Sequence, residues 1–372
     1  MRRLKVLHVV PHMHIGGLEK VIVNLWKHLD RRLIDLSVCC ELEKGVLGES
    51  LEQDGCELLR LPASRRKTDY FTWLKLCRLL RQRRFDIVHS HSIHSFIDCA
   101  LCSLLAGTSR WVHTFHFGNY PNLPGHYLAA ERLLGPLARQ LVAVGHAQRD
   151  SMVRHLGYSP GMLEVIWNGV ELEEQGYDDS RREKLRQELG IAGGGTVIGS
   201  VAVLSEQKGI PVLLDAARLV LEARSDLRFI IVGGGPRERL LRQMSDEMGL
   251  ADRVLFTGWR EDAGEIMRLL DIFVMSSLWE AMPIVLMEAM AAARPILATT
   301  VGDIPYMIED GETGLLAPAG DPEALAEGLL RLAGDPGLRR RLSQAGRRSY
   351  ERRFTARTMA VAYERLYQGM MA

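Results

Sequence analysis

Residues 5–17 read Lys5-Val6-Leu7-His8-Val9-Val10-Pro11-His12-Met13-His14-Ile15-Gly16-Gly17, and 18–29 continue Leu18-Glu19-Lys20-Val21-Ile22-Val23-Asn24-Leu25-Trp26-Lys27-His28-Leu29. Lys5–Val10 is a β-rich run that stops at Pro11. His12–Gly17 is a loop, and beyond it Leu18, Val21, Ile22, Leu25 and Leu29 recur at helical spacing. This is one βα unit. The same alternation of short apolar runs and helical periodicity continues along the chain, the pattern of parallel βαβ construction.

Further strands are expected at Leu36–Cys40, Glu57–Leu61, Ile87–His89, Trp111–Thr114, Leu141–Val144 and Glu164–Ile166, followed by a turn at Trp167-Asn168-Gly169. From Glu171 to Gly195 the sequence becomes acidic, polar and glycine-rich, ending in Gly193-Gly194-Gly195, and a domain boundary is placed there. A second alternating set follows, with strands expected at Val197–Leu204, Phe229–Val232, Val254–Thr257, Ile272–Met275, Ile296–Thr299 and Gly314–Leu316. Glu323–Arg365 reads as two or three helices with no strand. The expectation is an α/β protein of two Rossmann-like domains facing each other across a cleft, residues 1–170 and 171–353. In open parallel sheets ligands bind beyond the carboxyl ends of strands, so the loops after strands are where chemistry is sought.

A length of 372 residues suits two such domains. With 47% hydrophobic and 25% charged residues, the composition is globular and excludes a disordered or fibrous chain. The longest uncharged run, residues 111–130, is interrupted by His, Asn, Pro and Gly, so no stretch has the roughly 18–20 consecutive apolar residues of a membrane span. Met1-Arg2-Arg3 leads into a strand rather than a signal peptide. Cys39, Cys40, Cys56, Cys77, Cys99 and Cys102 lie in apolar surroundings, and a chain of this size has little need of a disulfide framework. The expected location is the cytoplasm, including the inner face of the membrane.

The net charge of +1 hides an asymmetry: residues 1–170 carry 22 Lys+Arg against 15 Asp+Glu, the remainder 25 against 31. The basic residues bunch at Arg65-Arg66-Lys67 and at Arg78, Arg81, Arg83 and Arg84. Such a patch steers toward phosphates or an anionic membrane, or is simply a solvated helix face. Nucleic acid is not an expected partner, since no recognition helix or aromatic-rich signature accompanies it.

Gly16-Gly17 opens a helix whose first amides favour an anion, although a glycine pair also makes an ordinary tight turn. Lys208, in Ser205-Glu206-Gln207-Lys208-Gly209, follows the first strand of the second half, where it can neutralise a phosphate or remain solvated. Gly233-Gly234-Gly235-Pro236 is a strand-to-helix turn that permits close approach of a ligand. The most informative stretch is Glu280-Ala281-Met282-Pro283-Ile284-Val285-Leu286-Met287-Glu288. Pro283 suits the first helical position, leaving the amides of Met282, Ile284 and Val285 to meet an anion or a sugar hydroxyl. Glu288, alone among uncharged neighbours, is either half-buried or functional; ribose hydroxyls are suitable donors to it. His89-Ser90-His91 has the strand spacing of a metal-ligand pair. With neither His-Glu-x-x-His nor Asp-x-Asp in the chain, no metal is expected. Cys99-x-x-Cys102 reads as buried small hydrophobes rather than a redox pair.

In this order the residues resemble the retaining glycosyltransferases of family 4, which have the GT-B fold. The resemblance rests on Gly16-Gly17-Leu18-Glu19, Val88-His89-Ser90-His91, Thr114-Phe115-His116, Val165-Ile166-Trp167-Asn168-Gly169-Val170, Lys208-Gly209, Val232-Gly233-Gly234-Gly235-Pro236, Glu280 to Glu288 and Thr313-Gly314-Leu315-Leu316. It implies metal-independent transfer of a hexose from a nucleotide diphosphate sugar to a hydroxyl of a glycan or lipid-linked acceptor, with retention of configuration. Glu288 would hold the ribose, Glu280 the transferred sugar, and Lys208 the diphosphate, helped by Gly16, Gly17, Gly234 and the Met282-Pro283-Ile284-Val285 turn. His116 would stand near the reacting centre, and the last helix, about 354–372, would brace the first domain. The chain departs from the family pattern at Val203, where an arginine is usual, at Ala293, where glycine is frequent, and at Tyr306, where glutamate is usual. Other readings are a nucleotide-sugar epimerase or hydrolase on the same architecture and a non-catalytic protein that binds nucleotide sugar.

Overall fold

The computed structural model describes residues 2–62, 71–106, 110–117, 120, 122–171, 178–191 and 195–371. Arg65-Arg66-Lys67 and the glycines Gly193 and Gly194 of the boundary segment lie outside the described residues. The chain divides into two compact units, Met1–Val170 with Thr355–Ala372, and Glu171–Phe354.

The first unit holds strands β1 Leu4–His12, β2 Ile34–Glu43, β3 Glu57–Arg60, β4 Ile87–Ser90, β5 Trp111–Phe115, β6 Gln140–Ala143 and β7 Leu163–Val165. The second holds β8 Val197–Val201, β9 Arg228–Val232, β10 Val254–Gly258, β11 Ile272–Met275, β12 Ile296–Thr299 and β13 Leu315–Ala317. The sheet orders are β3-β2-β1-β4-β5-β6-β7 and β10-β9-β8-β11-β12-β13. Every pairing is parallel. Strand order reverses between β1 and β4 in one sheet and between β8 and β11 in the other, the doubly wound switch point where ligands bind.

Both sheets have the continuous apolar strands that burial on two faces demands. Leu7, Val9, Val88, Trp111 and Leu141 form the core of the first unit with Phe96 and Leu80 from its helices. Ile198, Phe229, Ile231, Ile272, Val274 and Leu297 form that of the second with Leu213, Leu214 and Leu329. Only β11 and β12 keep both expected limits; the other eleven strands shift by one to three residues at one end or both. β1 runs past Pro11 to His12 because the proline sits at a register shift between Val10 and His12, where its missing N–H costs no ladder bond. β8 ends at Val201, since the backbone of 202–204 turns to pair with the glycine run: Ala202 N–H donates to Val232 O at 2.9 Å and Leu204 N–H to Gly234 O at 2.9 Å. β13 begins one residue later than expected, at Leu315.

Glu323–Arg365 resolves into three helices, Pro322–Gly334, Pro336–Arg353 and Ala356–Gly369, started by the side chains of Asp321, Asp335 and Thr355 accepting from amides three residues on. The last of these belongs to the first unit. Ala356 N–H donates to Val170 O at 2.9 Å, and Glu364 accepts from the Asp30 amide at 2.7 Å and from Arg357 at 2.9 Å. Gly169 has a packing reason: a Cβ there would lie 2.3 Å from Thr355 O. Tyr363 and Tyr367, four residues apart, point from one helix face into the end of the first sheet and are buried.

Candidate active site

In the second unit the loops after β8 and β11, neighbours across the switch point, are locked together. Leu278 N–H donates to Gln207 O at 2.7 Å, and Ser276 Oγ donates to Lys208 O at 2.9 Å. Gly209 makes this possible: its φ is +58° and a Cβ would lie 2.1 Å from Ser276 O, so both torsion and space require glycine. This clamp delivers Lys208 to Glu280. The ammonium lies 2.6 Å from Glu280 Oε1. Ser277 Oγ donates to the same oxygen at 2.8 Å, and Gln207 Nε2 to Oε2 at 3.0 Å. Glu280 is only 6% exposed and Lys208 18%, so the buried carboxylate is paired and hydrogen-bonded, as burial of a charge requires.

The helix Ile284–Ala291 begins four residues beyond Glu280. Pro283 is its N-cap, in extended conformation, not its first helical residue. Its ψ of 117° is extended, so the first residue with helical torsions is Ile284. Ile284 and Val285 supply first-turn amides, Met282 is buried beside them, and Glu288 is half-buried one turn on. Lys208, Glu280, Met282, Pro283, Ile284, Val285 and Glu288 thus all belong to one end of the second sheet. Gly234 joins them at the end of β9, but its missing side chain is explained by Trp259, whose Nε1 a Cβ would meet at 2.6 Å. Gly233 and Gly235 lie equally close to the backbone of Ala202 and Leu204.

The departures from the family pattern have local consequences. Val203 is 46% exposed beside that glycine run, and Tyr306 is 47% exposed. Ala293 has φ of +52°. It follows the C-cap Ala292; Ala293 N–H donates to Met290 O at 3.0 Å and Arg294 N–H to Ala289 O at 2.9 Å. That is a Schellman closure, in which a left-handed residue ends the helix and glycine is the unstrained choice.

In the first unit, Gly16 is the extended N-cap of the helix Gly17–His28. The turn expected to receive an anion holds the carboxylate of Glu19, and a Cβ on Gly16 would lie 2.3 Å from Glu19 Oε2. Burial pushes the Glu19 carboxyl upward. His116, half-buried just after β5, is reached by a continuous hydrogen-bonded network. His91 Nδ1 lies 3.1 Å from His116 Nε2, and His91 Nε2 lies 2.9 Å from His8 Nδ1. His8 Nε2 is 3.0 Å from the Tyr367 hydroxyl, which is 2.6 Å from His89 Nδ1. His89 Nε2 is 2.7 Å from Thr114 Oγ1, and Thr114 Oγ1 is 3.0 Å from the Tyr363 hydroxyl. Burial holds His8 and His116 down to about 3 and His89 and His91 well below the ordinary histidine range, so all four are neutral. The expected His89–His91 pair is joined by His8, and ring nitrogens of the three lie within 4.8 Å of one another. Each of those nitrogens already shares a hydrogen bond with a neighbour.

Gln207, Ser277, His8, Tyr363 and Tyr367 were not foreseen as parts of the site. The tyrosines carried one signal, their i, i+4 spacing on the last helix; the others become visible only when strands pair. Cys99 and Cys102 are buried thiols, and Cys102 Sγ meets Cys77 Sγ at 2.8 Å rather than Cys99.

Two family models match consecutive parts of the chain: Glycosyltransferase Family 4 over residues 15–174 and Glycosyl transferases group 1 over residues 181–349. The chain is 26% identical, over 90% of its length and 89% of the relative's, to the UDP-Gal:alpha-D-GlcNAc-diphosphoundecaprenol alpha-1,3-galactosyltransferase of Escherichia coli. Its fold is similar to that of Anabaena Alr3699/HepE, solved in complex with UDP and glucose, with a TM-score of 0.88 at 22% identity, covering 98% and 100% of the two chains. It is also similar to WaaG, a glycosyltransferase involved in lipopolysaccharide biosynthesis, with a TM-score of 0.78 at 19% identity, covering 98% and 100%. Two doubly wound units, the ordered motifs and these matches agree: the chain is a hexosyltransferase-type glycosyltransferase with the GT-B fold and belongs to glycosyltransferase family 4.

Proposed function

We propose that the chain moves a hexose from a nucleoside diphosphate sugar to a hydroxyl of a lipid-linked glycan, with retention of configuration and without a metal. The observation that carries this reading is the Lys208–Glu280 pair at the switch point of the second sheet, beside the first turn of the helix Ile284–Ala291. A departing nucleoside diphosphate develops negative charge, and that charge has to be met by preorganised donors. Lys208 and the amides of Ile284 and Val285 supply a cation and a helix N-terminus for it. Glu280, fixed by Ser277 and Gln207, accepts from hydroxyls of the hexose, and Glu288 from those of the ribose, while Met282 and Pro283 shape the turn and Gly234 borders it. Gly16, Gly17 and His116 keep, in the first unit, the roles the family resemblance assigns. The E. coli relative, a UDP-Gal-dependent transferase to a diphosphoundecaprenol-linked sugar, favours a polyprenyl-diphosphate acceptor and a place in surface polysaccharide biosynthesis.

Contact with an anionic membrane belongs to the same reading. Among the described residues no helix is long and apolar enough to cross a bilayer. The helix Thr72–Arg83 exposes Leu74 and the neighbouring helix Ile93–Ala106 exposes Leu104 and Leu105, close to Arg81, which donates to Leu105 O at 2.8 Å. Apolar tips among arginines suit peripheral binding. The test is transfer in EDTA from UDP-hexoses to a polyprenyl-diphosphate-linked N-acetylglucosamine, with the anomeric configuration of the product read by NMR. An inverted product, or turnover only after a divalent ion is restored, would overturn the mechanism proposed.

A further inference from the structure

We infer that Tyr367, on the last helix, is a positioning residue that joins His89 to His8 and, with the buried Thr114 hydroxyl, imposes one tautomer on His116, with its proton on Nδ1. This deepens the role proposed above for His116 and rests on that residue facing the reactants.

Six hydrogen bonds run Tyr363–Thr114–His89–Tyr367–His8–His91–His116, and each needs one proton. A neutral histidine has a single N–H, so each ring with two bonded nitrogens donates at one and accepts at the other. The Tyr367 hydroxyl, between two histidines, likewise donates once and accepts once. The whole chain therefore points in one direction or the other.

The Tyr363 end chooses between them. If the donors run from Tyr363 toward His116, the Tyr363 hydroxyl donates to Thr114 and Thr114 donates to His89 Nε2. His89 Nδ1–H then donates to Tyr367, Tyr367 to His8 Nε2, His8 Nδ1–H to His91 Nε2, and His91 Nδ1–H to His116 Nε2. Every hydroxyl proton and ring N–H from Tyr363 to His91 is then used in one of the six bonds. In the opposite direction Thr114 accepts from His89, and the Thr114 and Tyr363 hydroxyls have two protons for the one bond between them. Both residues are buried, and among the described residues neither hydroxyl has a further hydrogen-bond partner. Glu164 acts on Tyr363 through its charge alone. An orphaned buried donor is expensive, so the first direction holds.

The consequence is at His116. Its Nε2 lone pair is taken by His91, and it presents an Nδ1–H donor to a ligand. Such a histidine holds a hydroxyl in place and does not remove a proton. Its tautomer is relayed through Tyr367, on a helix far along the chain.

Histidine tautomers are measured directly by two-bond nitrogen–proton correlation NMR on the full-length chain labelled with 15N-histidine at pH 7, with His116→Asn to identify the His116 signals. The inference expects His8, His89, His91 and His116 all as Nδ1–H forms. It also expects Tyr367→Phe, which removes the hydroxyl joining His89 to His8 and keeps the ring, to abolish the single tautomer of His116, because His8 Nε2 is then left unpaired in either direction. An Nε2–H form at any of the four in the unaltered chain would overturn it. So would an unchanged His116 in a folded Tyr367→Phe chain. Stoichiometric zinc retained through dialysis would also overturn it, because a metal on His8, His89 and His91 would take the lone pairs that the chain of donors requires. None of these readings needs turnover. If the tautomers are as inferred while His116→Asn leaves transfer intact, the proposed role of His116 fails and the proton order stands.

Discussion

Replacing Glu280 with glutamine separates two effects that the ion pair combines. The Lys208 ammonium is held 2.6 Å from the Glu280 carboxylate. A phosphate oxygen reaching the other side of that ammonium at about 2.8 Å stands roughly 5.4 Å from the carboxylate. At an effective dielectric constant of about 20, two like charges at that distance repel by about 3 kcal/mol. Lys208 is 18% exposed, and solvent with salt reduces the net effect to about 1–2 kcal/mol. Glutamine keeps the bond from Ser277 but removes the charge. Free nucleoside diphosphate should therefore bind Glu280→Gln roughly 5- to 30-fold more tightly than the unaltered chain. Transfer should fall by about 100-fold or more, because the carboxylate that accepts from the hexose is gone. Calorimetric titration gives the first number and a product assay the second, with a melting curve to establish that the fold persists. Unchanged or weaker diphosphate binding by a folded Glu280→Gln chain would refute the reasoning, and would mean that Glu280 serves chiefly to aim Lys208.

Glu288→Ala should weaken nucleoside diphosphate binding about 10- to 100-fold if the carboxylate accepts from the ribose, since hydrogen bonds to a charged group contribute about 1.5–3 kcal/mol; competition between diphosphate and a diphosphate lacking the nucleoside reads this out. Val203→Arg, at an exposed position beside the glycine run, should leave the melting temperature within about 2 °C and tighten diphosphate binding roughly tenfold. Ala293→Gly should stabilise the second unit by about 0.5–1 kcal/mol in chemical denaturation, the relief of a left-handed alanine exceeding the entropy glycine adds to the unfolded chain. Glu41 is buried facing Asp98, and burial together with that charge pushes its carboxyl up to about 8 from the ordinary 4.5. The folded chain keeps a proton that the unfolded chain loses, so stability is greatest below about 4.5 and is lost as pH rises toward 8. Glu41→Gln cannot ionise and should melt higher than the unaltered chain at pH 8 by several degrees, with a smaller difference at pH 5.

All thirteen strands lie where apolar runs alternate with helical periodicity, because in a doubly wound sheet both signals are local. The limits of β1 and β8 moved for tertiary reasons: a register shift at Pro11, and the pairing of 202–204 with the glycines after β9. The candidate donor residues were legible because the Glu280–Glu288 stretch combines a helix start with an unexplained carboxylate. That Lys208 meets Glu280 was not, since 72 residues separate them and only the adjacency of β8 and β11 unites their loops. The histidine network was half visible. His89 and His91 share a strand face, but His8 joins them through the β1–β4 register, and Tyr367 through a helix that returns 278 residues later. Gly16 shows the reverse case: a glycine that suggests a phosphate site also makes room for Glu19.

The central claim is a nucleoside diphosphate site on the second unit that needs no metal. Its most direct test is calorimetric titration of the purified chain with UDP, GDP and ADP in the presence of EDTA, repeated with Lys208→Met. The account predicts clear binding of one diphosphate in EDTA, UDP foremost given the E. coli relative, and at least a tenfold loss in Lys208→Met. No binding of any diphosphate, or binding indifferent to Lys208, would contradict it.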